Sequence, residues 1–361
     1  MKAFVDAARP EESGEATVTF LLKTYNQEEF VRESVRSAFA QTYSPLDIII
    51  SDDCSEDRTF SIVEEEAAAY TGPHRLLIRR NNHNLGLVEH QNCLMELIRS
   101  GLVVNADADD IAMPHRVQRL VEIWNRGQVM VMCSNAIIID EEGRRHGLFK
   151  QSHSRWISPA DMIRTGRPGA FGAGMAWDRR VFDVFGPLSN RTRNEDGPVS
   201  FRGALLGLVR YTGEPLLYYR QHDKNMSYWA QMSSAPTTQW IALQQGKLGN
   251  REGLYEEWMG LLENRQANGT LGIDYAAARS ALVARMELLS LEKRFLTERL
   301  SARLRTVRES APLIAGSKNW AKFLLLAISP TAYAVIVMQA RRVARHIAGM
   351  TSSLWGYGRK S

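Results

Sequence analysis

The sequence predicts an α/β fold in which a mainly parallel sheet is flanked by helices. Short apolar runs alternate with amphipathic stretches from Ala16 onward, so that each strand candidate is followed by a helix candidate. Repeated strand–helix units imply right-handed crossovers and parallel strands. The 361 residues are 44% hydrophobic and 24% charged, which is enough to bury a sizeable core and to form two folded units.

The first half of the chain supplies four strands and four helices. The strands are predicted at 18–22, 47–51, 76–79 and 102–106. The helices are predicted at 26–39, 57–70, 89–100 and 114–126, with Asn26 as the cap of the first and Pro114 opening the last. In a sheet of this kind, ligands bind at the carboxyl ends of the strands.

The second half has a different pattern. Residues 129–140 are apolar and β-branched, 165–187 are rich in Gly and Pro, and 208–212 and 216–220 resemble two short strands. From about Gln239 the chain becomes helical, and Tyr275–Arg308 has partly heptad-like leucine spacing over a single long helix. That helix is expected either to place the first half of the chain relative to a membrane or to mediate self-association through 275–308.

The formal charge of +5 is unevenly distributed. Residues 310–361 contain no Asp or Glu and carry +7, so the first 309 residues carry −2. A net acidic body without a basic, aromatic-interleaved face argues against nucleic-acid binding. Three cysteines at gaps of 39 and 40 residues fit neither a metal site nor a disulfide framework, and no apolar run follows Met1, so we expect a cytoplasmic protein.

Three acidic clusters fall at the ends of predicted elements: 51–57, 105–110 and Glu195-Asp196. In the second cluster, Asp107, Asp109 and Asp110 repel one another, which raises their pKa values unless a cation is bound. Carboxylate oxygens suit Mg²⁺ or Mn²⁺. The alternatives are a capped turn for the first cluster, a solvated loop for the second and a surface pair for the third.

The clusters and several neighbouring motifs occur in an order that resembles the family 2 glycosyltransferases of the GT-A fold. The resemblance covers about 16–228 and rests on Thr24-Tyr25-Asn26, Gln41-Thr42-Tyr43, Ser51-Asp52-Asp53-Cys54-Ser55, Asn84-Leu85-Gly86, Asp107-Ala108-Asp109-Asp110 with Pro114, Glu195-Asp196, and Tyr219-Arg220-Gln221-His222. It implies a GT-A sheet with a C-terminal helical extension and an inverting transfer from a UDP, GDP or dTDP sugar.

The resemblance also implies roles for single residues. It implies nucleotide contacts at Thr24, Tyr25, Asn26, Asp53 and Asp107. It implies that a Mn²⁺ or Mg²⁺ ion binds Asp107, Asp109 and His222, and that Asp196 is the catalytic base with Glu195 on the acceptor side. Arg220 is expected to contact the diphosphate or to pair with a carboxylate. Two departures concern the nucleobase loops: Lys23 stands where the family usually has proline, and Cys54 where glycine is commonest, so we expect a different backbone geometry at that turn.

The basic tail bears on location. Phe323–Met338 is an apolar run of 16 residues with basic residues on both sides, and as a helix it would span about 24 Å, less than the roughly 30 Å of a bilayer core. We expect it to lie in the cytoplasmic leaflet, held by anionic lipid. The alternatives are a buried pair of helices and a membrane span.

The expected organisation is a flexible N-terminus (1–15), a GT-A domain (16–228), a helical extension (229–310) and a membrane-associating tail (311–361). By analogy, the expected acceptor is a glycan or lipid-linked saccharide of O-antigen, capsule or exopolysaccharide synthesis, at the inner face of the plasma membrane. The competing function is a non-enzymatic GT-A-fold scaffold or regulatory subunit that binds nucleotide sugars.

Overall fold

The computed structural model describes residues 18–99, 101–124, 128–150, 153–222, 225, 237–270, 272–311, 320–333 and 336–337. The expected flexible N-terminus and most of the basic tail lie outside these residues. The described residues form two compact units, one reaching to Arg220 and including Gly260–Ile273, the other formed from Gln221–Met259 and the residues after Asp274.

Ten strands of the first unit form one mixed sheet. They are β1 (Val18–Thr24), β2 (Asp47–Asp52), β3 (Arg75–Arg80), β4 (Leu102–Asp107), β5 (Ile111–Ala112), β6 (Val129–Ile139), β7 (Arg145–Leu148), β8 (Arg155–Ile157), β9 (Met175–Asp178) and β10 (Leu208–Arg220). The order is β3-β2-β1-β4-β9-β6-β10-β5, with β7 beside β6 and β8 beside β10. The first four strands are parallel, and β9 is antiparallel to both β4 and β6.

Seven α-helices accompany these strands in the described part of the first unit. They are α1 (Val31–Phe39), α2 (Thr59–Ala68), α3 (Leu87–Leu97), α4 (Arg116–Trp124), α5 (Pro159–Thr165), α6 (Arg180–Phe185) and α7 (Asp196–Leu206). A short 3₁₀ turn spans Gly172–Gly174. The expected α/β class, with a mixed sheet between helices, is confirmed.

Strand β1 lies at the centre of the parallel part, between β2 and β4. Its seven residues are all buried, which explains why Val18–Leu22 is apolar apart from Thr19 and does not alternate along the strand. The inward face of α1, formed by Val31, Val35 and Ala38, packs into the same core. Because β1 is parallel to both neighbours, the loops after β1, β2 and β4 emerge at the same edge of the sheet.

Three expectations about local structure were wrong. Asn26 does not cap α1, because its backbone has φ +50 and its side chain accepts from the Glu56 N–H. The two short strands expected after residue 207 are one strand, β10. It stays paired with β6 through shifts of register at the residues between the two apolar runs. The single long helix from Tyr275 is two helices, because Glu298 and Arg299 are extended.

The second unit is helical where the structure describes it. Its elements are α8 (Thr237–Ala267, whose C-terminal end belongs to the first unit), α9 (Tyr275–Thr297), α10 (Leu300–Glu309) and α11 (Trp320–Ile328). The heptad positions Leu282, Leu289 and Leu296 are buried, whereas Leu300 and Leu304 are exposed. Among the described residues, no helix combines the length and the hydropathy that crossing a bilayer requires.

Candidate functional site

The site lies at the carboxyl ends of β1, β2 and β4. The strand register places Lys23 beside Ser51 on one side and beside Asp107 on the other, and Thr24 beside Asp52. The acidic segments that follow β2 and β4 are thus brought next to the residues that follow β1. The expectation that these segments share one edge of the sheet is met by this register.

The loops after β1 and β2 are cross-linked by hydrogen bonds. The Thr24 hydroxyl donates to Asp52 Oδ1 at 2.9 Å, the Asn26 N–H donates to Ser55 Oγ at 2.9 Å, and Asn26 Oδ1 accepts from the Glu56 N–H at 2.8 Å. Tyr25 projects from this frame with 41% of its surface exposed. Two of the expected nucleotide contacts, Thr24 and Asn26, therefore hold the loops, and Tyr25 offers an accessible ring.

The backbone at Cys54 has φ +65, in the left-handed region that glycine favours. The expectation of a different geometry at this turn was therefore wrong. The turn keeps a conformation suited to glycine and places a cysteine in it, at some cost in backbone strain.

Asp53 is buried and organises a third loop. Its Oδ1 accepts from Asn81 Nδ2 at 2.7 Å and from the Leu85 N–H at 2.9 Å, and its Oδ2 accepts from the Gly86 N–H at 2.9 Å. The expected nucleobase contact is thus a carboxylate that also fixes the segment before α3.

The segment after β4 carries the expected metal ligands. Burial in the cleft, then the carboxylates of Glu195 and Asp109, raise the pKa of Asp107 to about 6, and the Lys23 ammonium opposes this rise. Burial, Asp109 and Asp107 raise the pKa of Asp110 well above its usual value. The repulsion expected from the sequence is therefore present.

Asp110 and Arg220 hold this segment in place. Asp110 Oδ1 accepts from the Arg220 N–H at 2.9 Å. The Arg220 guanidinium donates to the carbonyl oxygens of Asp109, Asp140 and Glu141 and pairs with Glu33. Arg220 thus forms the carboxylate pairing that was one of its two expected roles.

Arg116 lies beneath the same segment and was not found by sequence reasoning. Its guanidinium donates to the carbonyl oxygens of Asn105 at 2.7 Å and Ala173 at 2.6 Å. Burial lowers its pKa to about 10, against the opposing effect of Asp110 and Asp107. It joins the end of β4 to the turn at Gly172–Gly174, and no local pattern around Pro114 signals this role.

Glu195 is the N-cap residue of α7 and is 2% exposed. Its Oε1 accepts from Lys23 Nζ at 2.7 Å, and the same ammonium lies 4.0 Å from Asp107 Oδ1. A Cβ built at Gly172 would lie 3.4 Å from Glu195 Oε1, an ordinary van der Waals distance, so the turn at Gly172–Gly174 lies against this carboxylate. Lys23, noted only as a departure from the family, is therefore part of the site.

Asp196 is the first residue of α7, and its Oδ1 accepts from the Gly197 N–H at 2.7 Å. Burial raises its pKa to about 7; Glu195 and Asp107 also raise it, and the Gly197 N–H and Lys150 lower it. A carboxylate with a pKa near neutrality is well suited to take a proton from a hydroxyl group.

The residues fit a divalent cation that shares its coordination with substrate. Asp107 and Asp109 offer hard oxygen ligands, and the pKa of Asp107 is raised by burial and then by Glu195 and Asp109, although the Lys23 ammonium lies 4.0 Å away. In the described ranges, no group of three or more His, Cys, Asp or Glu side chains is arranged to hold a metal ion. Mg²⁺ commonly uses one or two carboxylates together with substrate phosphates and water.

His222, the third expected metal ligand, belongs to the second unit. It is buried, and its N–H donates to Asn225 Oδ1 at 2.6 Å. The structure brings together Lys23, Asp107, Glu195 and Asp196 in the first unit, and the role of His222 stays a prediction.

Comparison with known proteins shows that the chain is similar to glycosyltransferases. The family model "Glycosyl transferase family 2" matches residues 19–185. An uncharacterized glycosyltransferase of Nostoc sp. is 24% identical over 217 residues, which cover 58% of this chain and 66% of that protein. The putative glycosyltransferase EpsE of Bacillus subtilis is 27% identical over 211 residues, covering 58% of this chain and 74% of that protein.

A further relative is the UDP-Glc:alpha-D-GlcNAc-diphosphoundecaprenol beta-1,3-glucosyltransferase WfaP of Escherichia coli, 26% identical over 121 residues. That match covers 34% of this chain and 46% of WfaP. The chain thus spans less than two thirds of the length of the Nostoc and Escherichia coli proteins.

Among solved structures, S. aureus TarS 1–349 in complex with UDP-GlcNAc has a TM-score of 0.54 at 15% identity, covering 88% of this chain and 83% of that one. The TarS complex with UDP gives the same TM-score at 12% identity, covering 91% and 92%. This likeness confirms the fold expected from the sequence.

Proposed function

Because residues 19–185 of the chain form a family 2 glycosyltransferase domain on a GT-A fold, we propose that it is an inverting, metal-dependent glycosyltransferase. It moves a sugar from a nucleotide-sugar donor to a glycan or lipid-linked saccharide during synthesis of a bacterial surface polysaccharide. The observation that carries this proposal is Asp196, a carboxylate with a pKa of about 7 in the same cleft as Asp107.

Inversion is a single in-line displacement at the anomeric carbon, so the acceptor hydroxyl must lose its proton as it attacks. Asp196 takes this proton, since its pKa leaves a large ionised fraction at neutral pH. Glu195, held by Lys23, shapes the acceptor side of the cleft. A Mn²⁺ or Mg²⁺ ion held by Asp107 and Asp109 would neutralise charge on the donor diphosphate.

The donor nucleotide occupies the loops after β1 and β2. Tyr25 supplies a ring against which a base can stack, and Thr24, Asn26 and Asp53 fix the loops around it. Binding of UDP-GlcNAc by TarS supports a nucleotide sugar as donor, and the choice among UDP, GDP and dTDP sugars is open to experiment.

The process is inferred from relatives. EpsE is a putative glycosyltransferase, the ExoO protein of Rhizobium meliloti (27% identical over 135 residues) is named for succinoglycan biosynthesis, and WfaP acts on a diphosphoundecaprenol-linked sugar. We extend this setting to the present chain as a cytoplasmic enzyme peripheral to the plasma membrane. Exposed Trp320, Leu324, Leu325 and Ile328 on α11 support contact with lipid near the basic tail.

The test is release of nucleoside diphosphate from a panel of UDP, GDP and dTDP sugars in the presence of Mn²⁺. We expect slow hydrolysis of one donor by the wild type and a large loss in Asp196→Asn. Asp183→Asn, on the exposed surface of α6, is the matched control and should hydrolyse normally. Binding of a donor without any turnover would favour the scaffold function.

A further inference from the structure

Lys150 follows β7 with its ammonium against a wall of aromatic rings. Its Nζ lies 5.6 Å from the centroid of Phe149, 5.4 Å from Phe171 and 5.4 Å from Tyr211. The backbone of Lys150 is fixed, since its N–H donates to Asn135 Oδ1 and its carbonyl accepts from Asn135 Nδ2. The position of this cation is therefore set by the fold.

Two further cations accompany Lys150. Arg155 contacts Tyr211, one of the three rings around Lys150, with its guanidinium carbon 5.2 Å from the Tyr211 centroid. Arg167 lies in the loop before Gly169, and that loop packs on β8, because a Cβ at Gly169 would lie 2.8 Å from Ile157 Cδ1. Both arginines are exposed, and Lys150 is half-buried.

Among the described residues, no salt bridge joins any of these three cations to a carboxylate. Within the part of the chain that the structure describes, none of Lys150, Arg155 and Arg167 has a carboxylate within 4.0 Å, in contrast to Lys23 with Glu195. The pKa of Lys150 is lowered by burial. The positive charges of Arg155 and Arg167 lower it further, whereas the carboxylate of Asp196 raises it. With Asp196 ionised, the four groups together still carry two positive charges.

Of the three cations, Lys150 interacts with the proposed base. Asp196 raises the pKa of Lys150, and Phe171 of the aromatic wall directly precedes Gly172, whose Cβ position lies 3.4 Å from Glu195 Oε1. A cation flanked by aromatic rings is partly stripped of water, which strengthens its pairing with an anion that reaches it. A partly desolvated cation beside the base is an arrangement that an anionic ligand would complete.

We propose that Lys150, Arg155 and Arg167 form an anion subsite, so that the acceptor carries a phosphate or carboxylate close to the hydroxyl that receives the sugar. The subsite rests on the proposed function, because it takes Asp196 as the base. Phosphate on a lipid-linked acceptor and carboxylate on an acidic sugar share the required chemistry, and matched probes separate them.

The experiment measures probe binding by calorimetry to protein saturated with the nucleoside diphosphate that it binds, together with Mn²⁺, so that the donor phosphate site is filled. The probes share one sugar ring: methyl glucoside is neutral, glucose 1-phosphate carries a phosphate, and methyl glucuronoside carries a carboxylate. We expect an anionic probe to bind at least about tenfold more tightly than the neutral one, as a charged hydrogen bond predicts. Tighter binding of glucose 1-phosphate would identify the acceptor's anion as a phosphate, and tighter binding of methyl glucuronoside would identify it as a carboxylate.

Lys150→Met and Arg167→Gln should each remove most of this preference and leave binding of the neutral probe unchanged. Arg167 is exposed, so its variant tests the subsite even if Lys150→Met does not fold. Arg164→Gln is the control, since Arg164 pairs with Asp161 on the surface of α5. Equal binding of the three probes, or an equal loss of all of them in the variants, would overturn the subsite.

The two proposals fail differently. A wild-type protein that binds no nucleotide sugar contradicts the proposed function. A protein that turns over a nucleotide sugar but shows no preference for anionic probes contradicts the subsite alone.

Discussion

Lys23 Nζ donates to Glu195 Oε1 across 2.7 Å, and both side chains are almost completely buried. The residues are 172 positions apart in sequence. Because the same ammonium also lies 4.0 Å from Asp107 Oδ1, one cation is shared by the carboxylates of Glu195 and Asp107. Its removal would leave two carboxylates facing each other without compensation.

We predict that Lys23→Met lowers the free energy of unfolding by about 3–5 kcal/mol, the cost of stranding one partner of a buried ion pair. Urea denaturation measures this loss. Lys23→Met/Glu195→Gln should recover most of it, because the stranded charge is gone. Arg164→Gln, in the exposed pair with Asp161, should change stability by no more than about 1 kcal/mol. Equal losses of unfolding free energy in Lys23→Met and Arg164→Gln would contradict the prediction.

Asp196→Asn should lower the turnover number by about 10²–10⁴-fold, the usual contribution of general base catalysis. Donor binding should persist, because the nucleotide loops after β1 and β2 are unchanged. Transfer kinetics and calorimetric titration with the donor check the two parts separately. Near-normal turnover would remove Asp196 from its assigned role.

The pH dependence follows from the same residue. Because the pKa of Asp196 is raised to about 7, the ionised base predominates above that pH and is lost as the pH falls through it. The ratio kcat/KM should therefore decrease about tenfold per pH unit on the acid side of neutrality. A flat profile between pH 5 and 8 would show that another group takes the proton.

Asp109→Ala should weaken Mn²⁺-dependent binding of a nucleoside diphosphate by at least about tenfold, since it removes a hard oxygen ligand. Titrations with and without Mn²⁺ measure the effect. Asp183→Ala on α6 removes a carboxylate from the surface and should bind as the wild type does. Metal-independent binding in the wild type would exclude this role for Asp109.

Gly86→Ala should destabilise the protein by about 1–3 kcal/mol. Gly86 has φ +76, and an added Cβ would meet no atom within 4 Å, so the cost comes from the backbone alone. Gly249→Ala, in open space on helix α8, should instead stabilise by about 0.5–1 kcal/mol. Thermal unfolding compares the two, and the same sign in both variants would contradict this account.

The parallel part of the sheet was predictable because β1, β2 and β4 are largely buried and mostly apolar, and β3 has a short apolar centre between arginines. The break after Thr297 was not, since the leucine spacing continues across it while Glu298 and Arg299 become extended. Asn26 was assigned to a cap because residue type alone cannot tell a cap from a side chain that bonds another loop.

The site was predictable where chemistry follows from position at a strand end, as for Asp107. Lys23 and Lys150 were not recognised as site residues, because their roles depend on the register of β1 against β4 and on rings from β10 and the segment before β9. Such contacts join segments far apart in the chain, and no local pattern records them.

The bond from the Arg220 N–H to Asp110 joins residues 110 positions apart and has a consequence for the order of synthesis. The acidic segment after β4 leaves the ribosome well before β10 exists, and it lacks this bond until the last residue of β10 has emerged. A nascent chain that ends before Leu208 would hold the segment through Arg116 but not through Arg220. The full set of bonds around Asp107, Asp109 and Asp110 would therefore form late in translation, when β10 docks.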